Sequence, residues 1–373
     1  MTTSQHVIRS PSPRLIVEDR LQQLVDRQVA KKRVRNIVVG IQSTDGRMDA
    51  AAAAGHPDAE GSIAMTLDAP YYLASITKMY TATVIMKLVE SNSLDLDIPI
   101  STYVGNELVA GIHVFHGTDY GRSISSSQLL NQTSGLADYF EGRPKGAASL
   151  MDDLKEGRDR TLTIHDIVEI VRSLKPKFPP GARDGRKAHY SDTNYALLGA
   201  IIEAVTGTTI ANNFESTIFA PLGLANTYVF DHAKAQPAPA AAYFKDRALE
   251  IPLAMSSFAP DGGVVSTLAE CLRFLRAFFG GELLTESQLA FITGRWNRIF
   301  FPLQYGCGLM RFKAPRWMSP LKAAPELIGH SGSTGSFAFY NPSRDVYLAG
   351  SINQMDHRGR PYRLMTKMIS LLD

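Results

Sequence analysis

Residues 73–80 read LASITKMY, and within them Ser75 and Lys78 stand three apart at the start of a helical-looking run. On a helix that spacing puts both side chains on one face. A serine hydroxyl is a weak nucleophile until a neighbouring base takes its proton. A lysine can be that base only when burial or cationic neighbours bring its pKa down from about 10.4. The same two residues also fit an N-cap serine followed by a solvated lysine. The spacing recurs at Ser319 and Lys322 in WMSPLK. There Pro320 and Pro325 bracket the lysine, so no helix long enough to display it can follow.

Two further stretches could complete a site. In HYSDTNYALLG, 189–199, Tyr190 precedes a strongly helical run and follows the turn-rich KFPPGARDGRK. A phenol there can shuttle a proton if cations lower its pKa; it can equally be a half-buried aromatic with a bonded hydroxyl. In GHSGSTGSFAFYNP, 329–342, small residues before a strand let backbone approach a ligand and aim N–H groups at it. Gly329–His330–Ser331–Gly332 falls short of the G-x-S-x-G elbow at Ser333, and only the adjacent Asp356 and His357 follow as an acid and a histidine, which rejects that reading. His113 and His116 are three apart, but without further clustered ligands they read as a polar loop, and no metal or cofactor is expected.

The elements that must carry these residues follow from periodicity. A helix is expected over 15–32, then a strand NIVVGIQSTDG closing on an Asp45–Gly46 turn, with MDAAAAAG pairing back across it. PYYLAS reads as a third strand leading to Ser75, and Tyr80, Val84, Ile85 and Leu88 recur at helical spacing up to Glu90. SSSQLLNQTSGL, TIHDIVEIVRSL, NYALLGAIIEAVTG and STLAECLRFLRAFFGG read as helices, with stops at Gly207 and at Gly280–Gly281. The last fifty residues return to β character, with a hairpin around Asn341–Pro342 and a closing helix YRLMTKMISLL. The expected fold class is α/β of the α+β type: a central antiparallel sheet built from both termini and flanked by helices. It comprises a discontinuous sheet domain, 1–78 and 296–373, and an inserted mainly helical domain, 79–295, with the site between them.

The composition is that of a globular chain with a large core: 373 residues, 45% apolar and 20% charged. A net charge of +3 calls for neither nucleic acid nor membrane, and the basic run KKRVR at 31–35 reads as cations at a helix C-terminus. Cys271 and Cys307 alone make no disulfide framework, and MTTSQHVIRSPSPRL lacks the segments of a signal peptide. No apolar run reaches the length of a membrane span. A cytoplasmic location is the expectation.

Taken together, Ser75–Ile76–Thr77–Lys78, Tyr190–Ser191–Asp192 and His330–Ser331–Gly332 resemble the S-x-x-K, Y-x-N or Y-S-x, and [KH]-[TS]-G motifs of the serine β-lactamase and penicillin-binding-protein superfamily. The resemblance is strongest to its class C branch, which includes D-alanyl-D-alanine carboxypeptidases, D-aminopeptidases and esterases. LLNQTSGLADY, FPPG, PLGL, DGGVVSTLAECLRF and YGCGL extend it from about residue 15 to the C-terminus.

The resemblance implies a β-lactamase/transpeptidase-like fold and an acyl-enzyme mechanism on a small-molecule ester, amide or β-lactam. Ser75 would attack a carbonyl, with Lys78 and Tyr190 sharing its proton. The backbone N–H groups of Ser75 and Ser333 would form an oxyanion hole, and Asp192, His330, Ser331 and Gly332 would meet substrate. Two departures bear on specificity. His330 stands where most class C β-lactamases carry lysine, and it is a weaker cation at neutral pH. Asp192 stands where asparagine is usual, and an ionised carboxylate only accepts hydrogen bonds. It can accept from a substrate amine or hydroxyl, or pair with Lys78 and raise its pKa. An esterase or D-amino-acid amidase or peptidase is therefore expected ahead of a true β-lactamase or a wall-acting DD-carboxypeptidase. The reading from a different class is a non-catalytic binding or assembly relative.

Overall fold

The computed structural model describes residues 13–31, 34–313 and 325–373. Helix α1 (Pro13–Ala30) occupies the amphipathic stretch expected at 15–32 and buries Val17, Leu21 and Val25. Strands β1 (Asn36–Ser43) and β2 (Asp49–Gly55) form the expected hairpin, with Val39 opposite Ala52. Near the C-terminus lie β3 (Asn297–Phe300), β4 (Leu303–Tyr305), β5 (Met310–Phe312), β6 (Leu327–Ser331), β7 (Ser336–Asn341) and β8 (Val346–Ser351). Among the described residues these form one eight-stranded antiparallel sheet in the order β3-β4-β5-β6-β7-β8-β1-β2. The N-terminal hairpin thus joins a C-terminal meander through the β1–β8 ladder.

Strand alternation decides what covers each face. Gly40, Ala349 and Ala338 stand in register across β1, β8 and β7, and this row of small residues admits helix α4 (Leu268–Phe279) closely. A Cβ on Gly40 would meet Leu268 and Leu272 of α4 at 3.1 Å. Ile41, Leu348 and Phe339 form the opposite row, where Phe339 meets Tyr362 of the closing helix α5 (Arg360–Ser370).

Between the two parts of the sheet the chain is mainly helical. Helix α2 (Thr77–Glu90) is buried from Thr77 through Met86, and α3 (Asp192–Thr206) ends on Gly207 in the left-handed conformation, φ 70°. Two expectations need correction. PYYLAS is not a strand of the main sheet: only Tyr71–Tyr72 is extended, pairing with Val264–Ser266, which pairs in turn with Tyr228–Val229. SSSQLLNQTSGL is helical only over Ser126–Leu130, because Gln132, Thr133 and Ser134 leave the helix and spend their side chains on hydrogen bonds. Ser319 and Lys322, with Lys32 and Arg33 of the basic run, lie outside the described residues.

Candidate active site

Ser75 does not cap a helix. It sits in a 3₁₀ turn, Ala74–Ile76, between Tyr71–Tyr72 and α2, and neither helix start carries a side-chain cap. The turn is clamped from two sides. Leu73 N–H donates to the Val264 carbonyl at 2.8 Å, and Ser336 Oγ donates to the Leu73 carbonyl at 2.7 Å. Ala74 adopts φ 48°, a left-handed conformation that costs a non-glycine residue on the order of 1–3 kcal/mol and persists only where the surroundings enforce it. Gly332 is part of that enforcement: a Cβ there would stand 2.6 Å from the Leu73 carbonyl and 2.8 Å from Ala74 Cβ.

Lys78 is not solvated; its side chain is 0% exposed. The ammonium donates to Ser75 Oγ at 3.2 Å and to the Asp261 carbonyl at 2.7 Å, and it lies 2.6 Å from Asp192 Oδ1. The Asp192 contact is an off-axis ion pair, since that oxygen meets no donor along a hydrogen-bond direction. The rings of Tyr190 and Tyr195 stand 5.5 and 5.6 Å from the ammonium. Burial by itself would push Lys78 down, but the charges of Asp192 and then Asp261 outweigh it and hold the lysine above its ordinary pKa.

Tyr190 is half-buried, with its hydroxyl beside the Ser75 side chain. Burial and the Asp192 carboxylate raise its pKa well above the usual phenol value, against the opposing pull of Ser75. Its loop is held by a neighbour that local pattern did not reveal. Gln132 Oε1 accepts from Ser191 N–H at 2.9 Å and from the Asn194 amide, while the Gln132 carbonyl accepts from His189 N–H.

The third motif is divided by strand alternation. His330, opposite Ala338, is fully buried, with Nδ1 on the Ser331 carbonyl at 2.9 Å and Nε2 near the Tyr305 hydroxyl at 3.4 Å. Burial and then Lys78 depress its pKa to about 3, so it is a neutral imidazole. Ser331 faces the opposite way, its hydroxyl on Tyr362 of α5 at 2.8 Å. Ser333 and Thr334, which follow the motif, line the cavity itself, with His330 and Ser331 packed behind it. His113 and His116 stand away from the site, His113 Nε2 donating to the Phe178 carbonyl at 2.9 Å.

That cavity has a volume of about 370 Å³. Ser75, Asp192, Asp261 and Ser333 lie at its polar end, and Tyr72, Phe140, Leu249, Met255 and Phe258 form much of the rest. Two buried carboxyls escaped sequence reasoning. Asp138 accepts from the backbone N–H of Asp192 and of Glu141, and burial followed by the Asp192 charge raises it to about 8. The Asp261 carboxyl accepts from Tyr139 Oη at 2.8 Å, and burial raises it to about 7, with Lys78 opposing and Asp192 adding to the shift. Burial thus lifts Asp138 and Asp261 out of the usual carboxylate range, and Asp192 is the carboxyl in contact with the ammonium, at 2.6 Å. LADY and DGG carry no local sign of this role; only their resemblance to related chains drew notice. The arrangement unites a serine hydroxyl, a cation, a phenol and the Asp192 carboxyl beside a largely apolar cavity.

Comparison with known proteins bears on the fold and the family. Penicillin-binding protein 4 of Amycolatopsis lactamdurans is 29% identical over 162 residues, 43% of this chain and 36% of that protein. The chain spans between about a third and two thirds of the length of the curated relatives it matches. Among solved structures, the D-amino acid amidase of Ochrobactrum anthropi SV3 in complex with L-phenylalanine superposes with a TM-score of 0.78 at 24% identity. That superposition covers 95% of this chain and 98% of the amidase. A D-stereospecific amidohydrolase from Streptomyces sp. gives a TM-score of 0.70 at 29% identity, covering 91% and 94%. A family model described as Beta-lactamase matches residues 21–367, so the chain belongs to the Beta-lactamase family.

Proposed function

We propose that this protein is a serine hydrolase that cleaves a small amide or ester through an acyl-enzyme on Ser75. The observation that carries the reading is the meeting of Lys78 Nζ and the Tyr190 hydroxyl at Ser75 Oγ, at the polar end of the cavity. Ser75 Oγ attacks the carbonyl carbon and its proton passes to the Lys78–Tyr190 pair; the pair returns it to the leaving group, and water then hydrolyses the ester. The backbone N–H groups of Ser75 and Ser333, both at the cavity, receive the developing oxyanion, a contribution of about 3–4 kcal/mol for one such donor. The catalytic unit comprises the sheet domain, 1–78 and 296–373, and the helical domain, 79–295. Two buried free thiols, Cys271 and Cys307, suit a reducing cytoplasm, and among the described residues no helix is long and apolar enough to cross a membrane.

Within that class an amidase or esterase acting on an amino-acyl substrate is favoured over a β-lactamase. The cavity is largely apolar and, with Asp261 and Glu250 also in its lining, presents the Asp192 carboxylate beside Lys78, a match for a hydrophobic side chain next to a protonated amine. The amidohydrolase from Streptomyces sp., named for its D-stereospecificity, supports the same class. A β-lactam side-chain carbonyl would find an acceptor where it needs a donor, and the neutral His330 supplies no cation for its carboxylate. The test is labelling with a fluorophosphonate. The adduct is expected on Ser75 and lost in Ser75→Ala with the fold intact; an adduct on another serine, or labelling that survives in the variant, refutes the reading.

A further inference from the structure

Lys78 is poised against itself. To take the Ser75 proton it must be neutral, and its complete burial serves that end. Yet Asp192 Oδ1 lies 2.6 Å from its nitrogen and works to keep it an ammonium. Asp192 also lines the cavity and keeps 14% of its side chain exposed, so the carboxylate faces both the lysine and any bound acyl group. We propose that a substrate carrying a protonated amine on its acyl part draws the Asp192 carboxylate off Lys78, and so frees Lys78 to take the proton of Ser75. The positive charge of the acyl donor is then the trigger for acylation as well as a handle for binding. This proposal rests on the acyl-enzyme reading above.

The geometry suits the exchange. One nitrogen reaches both Ser75 Oγ at 3.2 Å and Asp192 at 2.6 Å, so the carboxylate stands two short contacts from the nucleophile. A cation on the α or β carbon of an acyl group bonded to Ser75 falls at that distance. Asp192 is the first residue of α3, and its backbone N–H is tied to Asp138 Oδ1 at 2.8 Å. Its side chain can turn about its own bonds while the helix start stays fixed. As the substrate ammonium pairs with Asp192, Lys78 loses its extra proton to bulk water. Neutral Lys78 then accepts the proton from Ser75 as the Oγ–C bond forms and the carbonyl pair moves to oxygen. When the tetrahedral species collapses, the bond to the leaving group breaks, and the proton travels from Lys78 through Tyr190 to that group.

Other groups face this nitrogen. Asp261, Tyr190, Tyr195, Tyr305 and His330 surround Lys78, and Asp138 lies behind Asp192. All are present whichever substrate binds, so two acyl groups of one shape and different charge isolate the part played by Asp192.

The experiment is single-turnover acylation, at saturating substrate, by the nitrophenyl esters of β-alanine and of butanoic acid. The two are isosteric, and below about pH 8 the β-alanyl amine stays protonated. Lys78 is held above its ordinary pKa, so this range lies on the acid limb, where rates at saturation read the neutral fraction of Lys78 in the enzyme–substrate complex. Below about pH 8 the β-alanyl ester is expected to acylate Ser75 at least about tenfold faster than the butanoyl ester. In Asp192→Asn, checked for its fold by near-ultraviolet circular dichroism, the two rates should coincide at or above the faster wild-type value. Equal rates in the wild type, or a difference confined to KM, overturn the proposal while leaving the acyl-enzyme reading in place. A tenfold difference that persists in Asp192→Asn assigns the trigger to Asp138 or Asp261 and also overturns it. Failure of both esters to acylate Ser75 refutes the underlying reading and this proposal with it.

Discussion

Asp261 enters the site twice, its backbone carbonyl taking the Lys78 ammonium and its carboxyl taking the Tyr139 hydroxyl. Burial raises that carboxyl from 3.8 to about 7, against the pull of Lys78. Between those values the folded state holds a proton that the unfolded state has released, so stability must fall as pH rises. The contribution is fully present below the unfolded pKa and lost as pH climbs through the folded one. Asp261→Asn removes the titration and keeps an oxygen for Tyr139. Its melting temperature relative to wild type should rise between pH 5 and pH 8, by an amount on the order of a few °C for a chain of this size. Calorimetry across that range checks the sign, and a difference that stays flat with pH would show that the carboxyl ionises freely.

The turn Ala74–Ile76 depends on elements that contact it from outside. Gly332 follows β6, and the space its missing side chain leaves is filled by Ser336, the Leu73 carbonyl and Ala74. Gly332→Ala must move the turn or the strand: the Ser336 hydroxyl, the nearest atom, can rotate, but the Leu73 carbonyl at 2.6 Å and the Ala74 Cβ at 2.8 Å cannot. Overpacking of this kind costs about 1–3 kcal/mol. A shift of about 1 Å at a nucleophile costs about 10²-fold in rate. Ser75 acylation should therefore fall far more than stability does, as fluorophosphonate labelling rates and thermal melts on one preparation would reveal. Labelling at the wild-type rate would mean that the turn is not held by this contact.

The main sheet places its first two strands beside its last, so its stability depends on both ends of the chain. Helix α5 covers one face there with Leu364, Met365, Met368 and Ile369, all buried. At about 1.5–3 kcal/mol for each buried side chain, losing them approaches the whole stability of a typical protein, about 5–15 kcal/mol. Truncation before Arg360 should give a chain without a cooperative thermal transition and with exposed apolar surface, read by circular dichroism and dye binding. A truncated protein that melts within a few °C of the full chain would place the core elsewhere.

Local pattern sufficed wherever one residue type at one spacing has a single good use. The hairpin at Asp45–Gly46, the helix from Thr77 to Glu90 and the stop at Gly207 were legible because turn chemistry and apolar periodicity act between near neighbours. Ser75, Lys78 and Tyr190 could be named as candidates because their motifs keep order and separation along the chain. The short strands Asn297–Phe300, Leu303–Tyr305 and Met310–Phe312 were not legible, since each is held by its ladder partners more than by its own alternation. Sequence also left the state of Asp192 open between a substrate amine and Lys78. Tertiary structure alone decided that it lies 2.6 Å from a fully buried ammonium, with Asp261 beside that ammonium and Asp138 behind Asp192. It also turned Ser331 away from the cavity and enclosed His330. Burial and charge are set by residues as far as 54 and 183 positions apart converging on one point, and no short window along the chain contains them.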